Sequence, residues 1–327
     1  MAMRQADAGV LTFSEAELDA ARAFNAKLAR MPRFRIRNRF TPLLYQSLLR
    51  VSQVGADRRP PRKGVSVERR RVSWDGQSVA VRILRPSGTV RGVVLDVHGG
   101  GWAIGNAAMD DEQNLGLIAA CDVAVVSVDY RLVSTRSTLQ AAMDDCFTAA
   151  AWLLRGEHEL AGLPIVLVGE SAGGHLSAAT LLRVRDELGE MARFAGALLY
   201  YGVYDLAGSA SVRAAGPDTL VLDGAGMLDA MRLLTPGMTD AERRQAPLSP
   251  LFANLAGMPP ALMVAGDLDP LLDDTLAMAA RWGEVAAVEL HRVPEAPHGF
   301  IRFATPLAGK VLARSREWVR ERLLASG

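Results

Sequence analysis

Short apolar runs alternate with longer amphipathic segments along most of the chain. Runs rich in Val, Leu and Ile and bounded by turn residues predict eight β-strands, at 65–73, 78–84, 92–97, 123–128, 164–168, 195–200, 261–265 and 286–292. Apolar residues at helical spacing predict helices near 110–120, 138–154, 175–187, 271–283 and 306–324. The dipeptide Asp75-Gly76 predicts a hairpin between the first two strands. The later strands are separated by helices, which favours a mostly parallel sheet with helices on both faces.

The N-terminal part of the chain has a different pattern. Residues 14–30 predict an amphipathic helix that starts with a capping box, because Ser14 is followed three residues later by Glu17. A second helix is predicted over 41–54. The segment 55–64 is polar and contains two glycines and two prolines, so it is interpreted as a linker into the main domain.

Residues 203–250 interrupt the alternation, with weak helical pieces and no good strand. We therefore predict that residues 65–202 and 251–327 form an α/β catalytic domain. Residues 1–55 and the insertion 203–250 are predicted to form a helical cap over the carboxyl ends of the strands. Open α/β sheets bind their ligands at that edge.

Composition narrows the classes of protein that the chain can belong to. Its 327 residues are 50% hydrophobic and 22% charged, which is typical of a globular protein with a sizeable core. Only Cys121 and Cys146 are cysteines, and residues 1–7 lack a secretory signal, so a cytoplasmic setting is expected. No apolar run reaches the roughly 18–20 residues that span a bilayer, and no membrane partner is expected. There is no HExxH sequence or Cys pair at metal-binding spacing, so neither a metal nor a cofactor is expected.

The net charge of +1 is unevenly distributed. Residues 1–72 hold 16 Lys/Arg and 6 Asp/Glu, a net of +10, whereas residues 73–327 hold 21 and 30, a net of −9. The arginines of Arg33–Arg37 alternate with apolar residues, which favours a segment lying against the acidic main body. No nucleic-acid-binding motif accompanies them, so no nucleic-acid partner is expected.

The sequence Gly-Glu-Ser-Ala-Gly at 169–173 is the strongest indication of chemistry. It follows the predicted strand 164–168 and precedes the predicted helix 175–187, which is the setting of a nucleophile elbow. In such a turn the serine adopts a strained backbone conformation, and its hydroxyl is exposed at the end of the sheet. Ser171 is therefore the candidate nucleophile for attack on a carbonyl carbon.

A serine nucleophile needs donors for the developing oxyanion. His98-Gly-Gly-Gly-Trp102 follows the strand 92–97, and its glycines allow the backbone N–H groups to approach a ligand. A plain glycine-rich turn and a phosphate-binding loop are the alternatives, but the second lacks both Gly-Lys-Ser/Thr and Gly-x-Gly-x-x-Gly. The N–H of Ala172, directly after the serine, is a further candidate donor.

The serine also needs a base and an acid that orients the base. His298 lies in a loop between the last strand and the last helix, and it follows the serine and the acidic candidates in the order Ser, Asp, His. Asp269 is the preferred acid, with Asp267 as the alternative. Asp273 and Asp274 are interpreted as acids in the first turn of a helix, where they complement its dipole.

These motifs resemble those of the hormone-sensitive-lipase-like branch of the α/β-hydrolases, which includes many bacterial carboxylesterases. The matching segments are His98–Trp102, Asp129–Leu132, Gly169–Gly174, Ser249–Leu251, Asp269–Leu271 and His298–Phe300. The resemblance implies an α/β-hydrolase fold with a helical cap, and it implies roles for six residues. They are Ser171 as nucleophile, Asp269 as acid, His298 as base, and Gly100, Gly101 and Ala172 as oxyanion donors. Residues 133–138 depart from the Ala-Pro-Glu and proline-rich sequence usual at that place, in a loop that normally braces the glycine loop.

The predicted function is hydrolysis of small-molecule carboxylic esters with short to medium acyl chains, through an acyl-enzyme. Amide, formamide or lactone hydrolysis by the same residues is the alternative, and a non-catalytic ligand receptor is another. Trp102, Phe24, Tyr45 and Leu222 are candidate walls of an apolar acyl pocket, with core packing as the other interpretation. The resemblance also makes a homodimer one candidate assembly, although no residue of this chain argues for it.

Overall fold

A single eight-stranded sheet is the centre of the computed structural model, which describes residues 11–31 and 41–326. The strands are β1 (Val65–Trp74), β2 (Gln77–Pro86), β3 (Gly92–Val97), β4 (Val123–Asp129), β5 (Ile165–Glu170), β6 (Phe194–Tyr200), β7 (Ala261–Gly266) and β8 (Val288–Val293). Their order is β1-β2-β4-β3-β5-β6-β7-β8, and β2 alone runs against its neighbours. The predicted mostly parallel sheet is confirmed, and each predicted strand lies within two residues of an observed one.

Helices cover both faces of this sheet. They are α1 (Glu15–Leu28), α2 (Thr41–Ser52), α3 (Arg59–Arg62), α4 (Asp111–Cys121), α5 (Leu139–Arg155), α6 (Ala172–Arg183), α7 (Ala210–Ala214), α8 (Gly224–Leu234), α9 (Asp240–Arg243), α10 (Leu272–Gly283) and α11 (Pro306–Ala325). Residues of α4 and α11 pack against one face, and residues of α5, α6 and α10 pack against the other. Every residue of β3 is consequently buried, as expected of a strand covered on both sides. In the described part of the chain no helix has an apolar stretch long enough to cross a membrane.

Local sequence signals account for the ends of several elements. The hairpin forms as predicted, because Asp75 and Gly76 take positive φ angles of 45° and 73° and bring Trp74 opposite Gln77. Ser14 and Glu17 form the predicted capping box at the start of α1. The predicted linker 55–64 is less irregular than expected, since it contains the short helix α3.

Two helices from distant parts of the sequence lie over the carboxyl ends of the strands. Side chains of α2 and α8 line the same cavity, and the segment between β6 and β7 contains α7, α8 and α9 but no strand. Helix α1 packs elsewhere, against the flank formed by α11. There Phe24 contacts Phe303 with ring centroids 5.0 Å apart, so it is not a wall of the cavity. The arginines of 33–37 lie outside the described residues, and the division into cap and catalytic domain stays a prediction.

Candidate active site

Ser171 lies at the sharp turn between β5 and α6. Its φ of 52° and ψ of −120° are strained for a residue with a side chain. The neighbouring glycines make this turn possible, since a Cβ on Gly173 would lie 1.9 Å from the carbonyl oxygen of Val97. A Cβ on Gly169 would lie 2.4 Å from the hydroxyl oxygen of Ser177. The turn therefore has the geometry of a nucleophile elbow.

His298 links Ser171 to Asp269 through its two ring nitrogens. Its Nε2 lies 2.9 Å from the Ser171 Oγ, and its Nδ1 lies 2.8 Å from the Asp269 Oδ2. The other carboxylate oxygen of Asp269 accepts a hydrogen bond of 2.8 Å from the backbone N–H of Leu271. Because the carboxylate only accepts hydrogen bonds, Nδ1 carries the proton and Nε2 presents its lone pair to the serine hydroxyl. This arrangement suits a general base.

The other acidic residues near α10 have different partners. Asp267 forms an ion pair of 3.0 Å with Arg292 on the protein surface. Asp273 accepts a hydrogen bond from the N–H of Ser211 in the α7 segment. Asp274 accepts from the N–H groups of residues 204 and 205, and burial raises its pKa to about 6. Both helix-start acids therefore hold the chain after β6, in addition to any effect on the helix dipole.

The glycine loop lies beside the serine at the edge of the same cavity. Gly100 and Gly101 have φ angles of 101° and 58°, and a Cβ on Gly100 would lie 2.0 Å from the carbonyl oxygen of Ile104. Ala172 is the first residue of α6, so its N–H has no partner within the helix. The backbone N–H groups of Gly100, Gly101 and Ala172 donate to no other described residue. They are therefore available for an oxyanion.

The segment after β4 braces the glycine loop despite its unusual sequence. The hydroxyl of Tyr130 donates to the carbonyl oxygens of His98 and Gly99, at 2.9 and 3.2 Å, and its ring stacks on His98. The N–H of Val133 donates to the carbonyl oxygen of Trp102 at 2.8 Å. These contacts involve backbone atoms and Tyr130, so they persist although 133–138 depart from the usual sequence.

Ser171 and His298 line a mainly apolar cavity of about 570 Å³. Its walls come from the glycine loop, from α2 and from α8 with the residues before it. The apolar side chains include Tyr45, Leu48, Leu49, Trp102, Leu222, Met227 and Met231. Among residues 11–31 and 41–326, no group of three His, Cys, Asp or Glu side chains could hold a metal ion.

Comparison with known proteins agrees with this geometry. A family model described as the alpha/beta hydrolase fold matches residues 94–302. Carboxylesterase NlhH of Mycobacterium tuberculosis is 33% identical over 260 residues, which are 76% of this chain and 80% of that protein. The chain belongs to the α/β-hydrolase family. Esterase LipW of Mycobacterium marinum has a similar structure, with a TM-score of 0.81, 28% identity and coverage of 95% of this chain and 98% of that one.

A second solved structure indicates the branch of the family. This structure, of an esterase from the bacterial hormone-sensitive lipase family, is 26% identical to the chain, with a TM-score of 0.73. The match covers 95% of this chain and 100% of that one. The motifs and these comparisons together support the hormone-sensitive-lipase-like branch for this hydrolase.

His175 in this hydrolase connects the glycine loop to the segment before β7. The indole N–H of Trp102 donates to Nδ1 of His175 at 3.1 Å. The Nε2–H of His175 donates to the carbonyl oxygen of Leu248 at 2.8 Å. Burial lowers the pKa of His175 to about 4, so the ring stays neutral near pH 7 and keeps both contacts. This link could not be predicted from local sequence patterns, because Leu248 is 73 residues away.

Two charged residues beside the triad were also absent from the sequence prediction. Glu170 precedes Ser171, and Arg302 follows His298 by four positions. The two form an ion pair across 132 residues of sequence. The charged residue inside the elbow motif was the available signal, but a single charge does not indicate its partner.

Proposed function

We propose that this α/β-hydrolase hydrolyses small-molecule carboxylic esters, with Ser171 as nucleophile, His298 as base and Asp269 as acid. The observation that supports this proposal most strongly is the hydrogen-bonded series Ser171–His298–Asp269, with distances of 2.9 and 2.8 Å. The carboxylesterase and esterase names of its relatives support the same reaction class.

In the acylation step, Nε2 of His298 removes the proton of the Ser171 hydroxyl as its oxygen attacks the ester carbonyl carbon. The negative oxygen that forms accepts hydrogen bonds from the N–H groups of Gly100, Gly101 and Ala172. Asp269 stabilises the imidazolium through its hydrogen bond to Nδ1. The tetrahedral species collapses when Nε2 returns the proton to the departing alcohol oxygen, which leaves an ester on the serine.

In the deacylation step, Nε2 of His298 takes a proton from a water molecule that attacks the acyl carbon of the ester on Ser171. The same three N–H groups accommodate the second oxyanion. Return of the proton to the serine oxygen releases the carboxylic acid and restores the starting state. The acylation and deacylation steps use only groups that this chain provides and a water molecule.

We further propose that the acyl chain of the substrate is short to medium in length. The cavity is apolar where α2 and α8 meet the glycine loop, and Leu49, Trp102 and Met231 offer surfaces that favour an alkyl group over a charged one. Activity on p-nitrophenyl esters from acetate to palmitate should pass through a maximum before the longest chain. A steady rise up to palmitate would contradict this part of the proposal.

The direct test of the reaction is the variant Ser171→Ala. The variant should lose turnover of p-nitrophenyl butyrate by at least about 10⁴-fold, because neither base nor oxyanion donors can replace the nucleophile. Ser326→Ala, at the exposed C-terminal end of α11, is the matched control and should keep wild-type activity. Retained activity in Ser171→Ala would refute the proposal.

The setting and assembly of the enzyme are proposals as well. We propose a cytoplasmic enzyme without a nucleic-acid or membrane partner, and the buried, unpaired Cys121 and Cys146 are compatible with a reducing compartment. A homodimer is the candidate assembly. Light scattering of the purified protein would distinguish a dimer from a monomer of 35.1 kDa.

A further inference from the structure

An ion pair joins the nucleophile elbow to the loop that carries the catalytic histidine. The Nε of Arg302 lies 2.9 and 3.1 Å from the two carboxylate oxygens of Glu170, and its Nη2 donates to the same carboxylate. Glu170 is directly followed by Ser171, and Arg302 lies in the short helical turn after His298. The pair therefore connects two backbone segments whose relative position sets the distance between serine and histidine.

The same ion pair reaches the third catalytic segment, the glycine loop and its continuation. Arg302 donates through Nη1 to the carbonyl oxygen of Met109 at 3.2 Å and through Nη2 to the carboxylate of Asp110. The carboxylate of Glu170 lies next to Gly99, since a Cβ added to this glycine would come within 2.8 Å of its Oε1. One guanidinium and one carboxylate thus contact all three segments.

Tyr201 extends this arrangement to the imidazole. Its hydroxyl donates to the Oε2 of Glu170 at 3.0 Å, and its ring lies edge-on to the ring of His298, with centroids 4.9 Å apart. A displacement of Glu170 would therefore be transmitted to both the serine backbone and one side of the histidine ring.

The energetics of buried charges argue against a role in stability alone. The side chains of Glu170 and Asp110 are 9% and 8% exposed, and Arg302 is 26% exposed where it faces the cavity. Taking such charges out of water costs free energy that ion pairing only partly recovers, and apolar replacements of similar volume are often as stable. What an apolar cluster lacks is the fixed, directional set of hydrogen bonds that this one makes.

We propose that Glu170 and Arg302 are positioning residues, which hold the elbow, the glycine loop and the histidine loop at the relative positions that the chemical step requires. The proposal rests on the ester hydrolysis proposed above. It predicts an effect on kcat rather than on substrate binding, because the partners of the pair are groups of the three segments themselves, namely Met109, Asp110 and Tyr201. Misplacement of reacting groups by about 1 Å costs on the order of 10²-fold in rate.

The test uses Arg302→Met, Glu170→Gln and the double variant, assayed with p-nitrophenyl butyrate. Arg302→Met should lower kcat by about 10- to 100-fold with KM within about threefold of wild type. Glu170→Gln keeps the shape of the side chain, and a smaller loss of kcat is expected. The double variant should be no slower than Arg302→Met, because the two residues act as one unit.

Arg314→Met is the matched control. Arg314 pairs with Glu289 at 2.7 and 2.8 Å, and these side chains are 13% and 9% exposed on α11 and β8, outside the catalytic cavity. This variant also loses a buried ion pair, but its kcat should stay within twofold of wild type. The rate at which a fluorophosphonate modifies the serine should fall in Arg302→Met and Glu170→Gln and not in the control.

Three outcomes would overturn the proposal. The first is a kcat of Arg302→Met equal to that of the control. The second is a raised KM with unchanged kcat, which would indicate that Arg302 contacts the substrate directly. The third is a loss of kcat in the double variant equal to the product of the losses in the two single variants. If Arg302→Met does not fold, Glu170→Gln decides by the same kcat and labelling measurements. A wild-type protein inactive on esters would instead contradict the proposed function, which the same assay shows before any variant is compared.

Discussion

Replacing Asp269 by asparagine tests how the histidine is oriented. Asparagine has the shape of aspartate, but only one of its two terminal atoms accepts a hydrogen bond. In the native site Oδ1 accepts from the N–H of Leu271 at 2.8 Å, and Oδ2 accepts from Nδ1 of His298 at 2.8 Å. The backbone N–H cannot change from donor to acceptor, so the amide oxygen of asparagine stays on Leu271. The amide NH₂ then faces the histidine.

This reversal changes the tautomer of the imidazole. Facing an NH₂ donor, Nδ1 of His298 must accept, so the ring proton moves to Nε2. Nε2 then donates to Ser171 and can no longer remove its proton. Loss of the base through this tautomer change is expected to lower kcat by about 10⁴-fold. That factor corresponds to about 5.4 kcal/mol added to the activation free energy.

The assay is steady-state hydrolysis of p-nitrophenyl butyrate at neutral pH. Asp267→Asn is the control, because Asp267 pairs with Arg292 on the surface at 3.0 Å and should be replaceable without loss of kcat. Folding of both variants is checked by thermal unfolding. A kcat of Asp269→Asn within tenfold of wild type would refute the reasoning, and so would a large loss in Asp267→Asn alone.

Four further predictions concern stability and can be measured by urea unfolding. Gly173→Ala should prevent formation of the elbow, since its Cβ would lie 1.9 Å from the carbonyl oxygen of Val97, and a folded, active variant would contradict this. A Cβ added to Gly309 in α11 would meet no atom within 4 Å beyond its chain neighbours and its own helix backbone, so Gly309→Ala should stabilise the protein by about 0.5–1 kcal/mol. Destabilisation by this substitution would contradict that expectation. Thr138→Ala removes the cap on the N–H of residue 141 and should cost about 1 kcal/mol, so no loss would argue against a capping role. The pKa of Asp274 is raised from 3.8 to about 6, so its stabilising contribution is complete below about pH 3 and is lost as the pH rises through 6. Asp274→Asn should therefore gain on wild type by about 3 kcal/mol between pH 3 and 7, and parallel stability curves would contradict the assignment.

Local patterns in the sequence were sufficient to predict most of the sheet and the motifs of the site. A buried strand such as β5 is a short apolar run bounded by turn residues, and that pattern does not depend on the rest of the chain. The elbow at 169–173 was predictable for a related reason. Its glycines are required by steric contacts within a few residues of the serine and with β3 beside it.

The contacts that hold together the segments around Ser171 and His298 could not be predicted in the same way. Arg302 meets Glu170 across 132 residues, and His175 meets Leu248 across 73. A single arginine or histidine has many possible partners, and only the packed fold selects one. The same limit applied to Phe24, whose place on a helix face was predictable, whereas its contact with Phe303 depended on how α1 packs.

Ser171 is proposed as the covalent nucleophile of ester hydrolysis, and mass spectrometry of phosphonylated protein tests that role most directly. Wild-type protein is incubated with a fluorophosphonate, digested, and sequenced by fragmentation to locate the modified residue. We expect one modification, on Ser171, that is absent when Ser171→Ala is treated in the same way. An unmodified Ser171 in protein that hydrolyses esters, or modification at another residue that accounts for the activity, would contradict it.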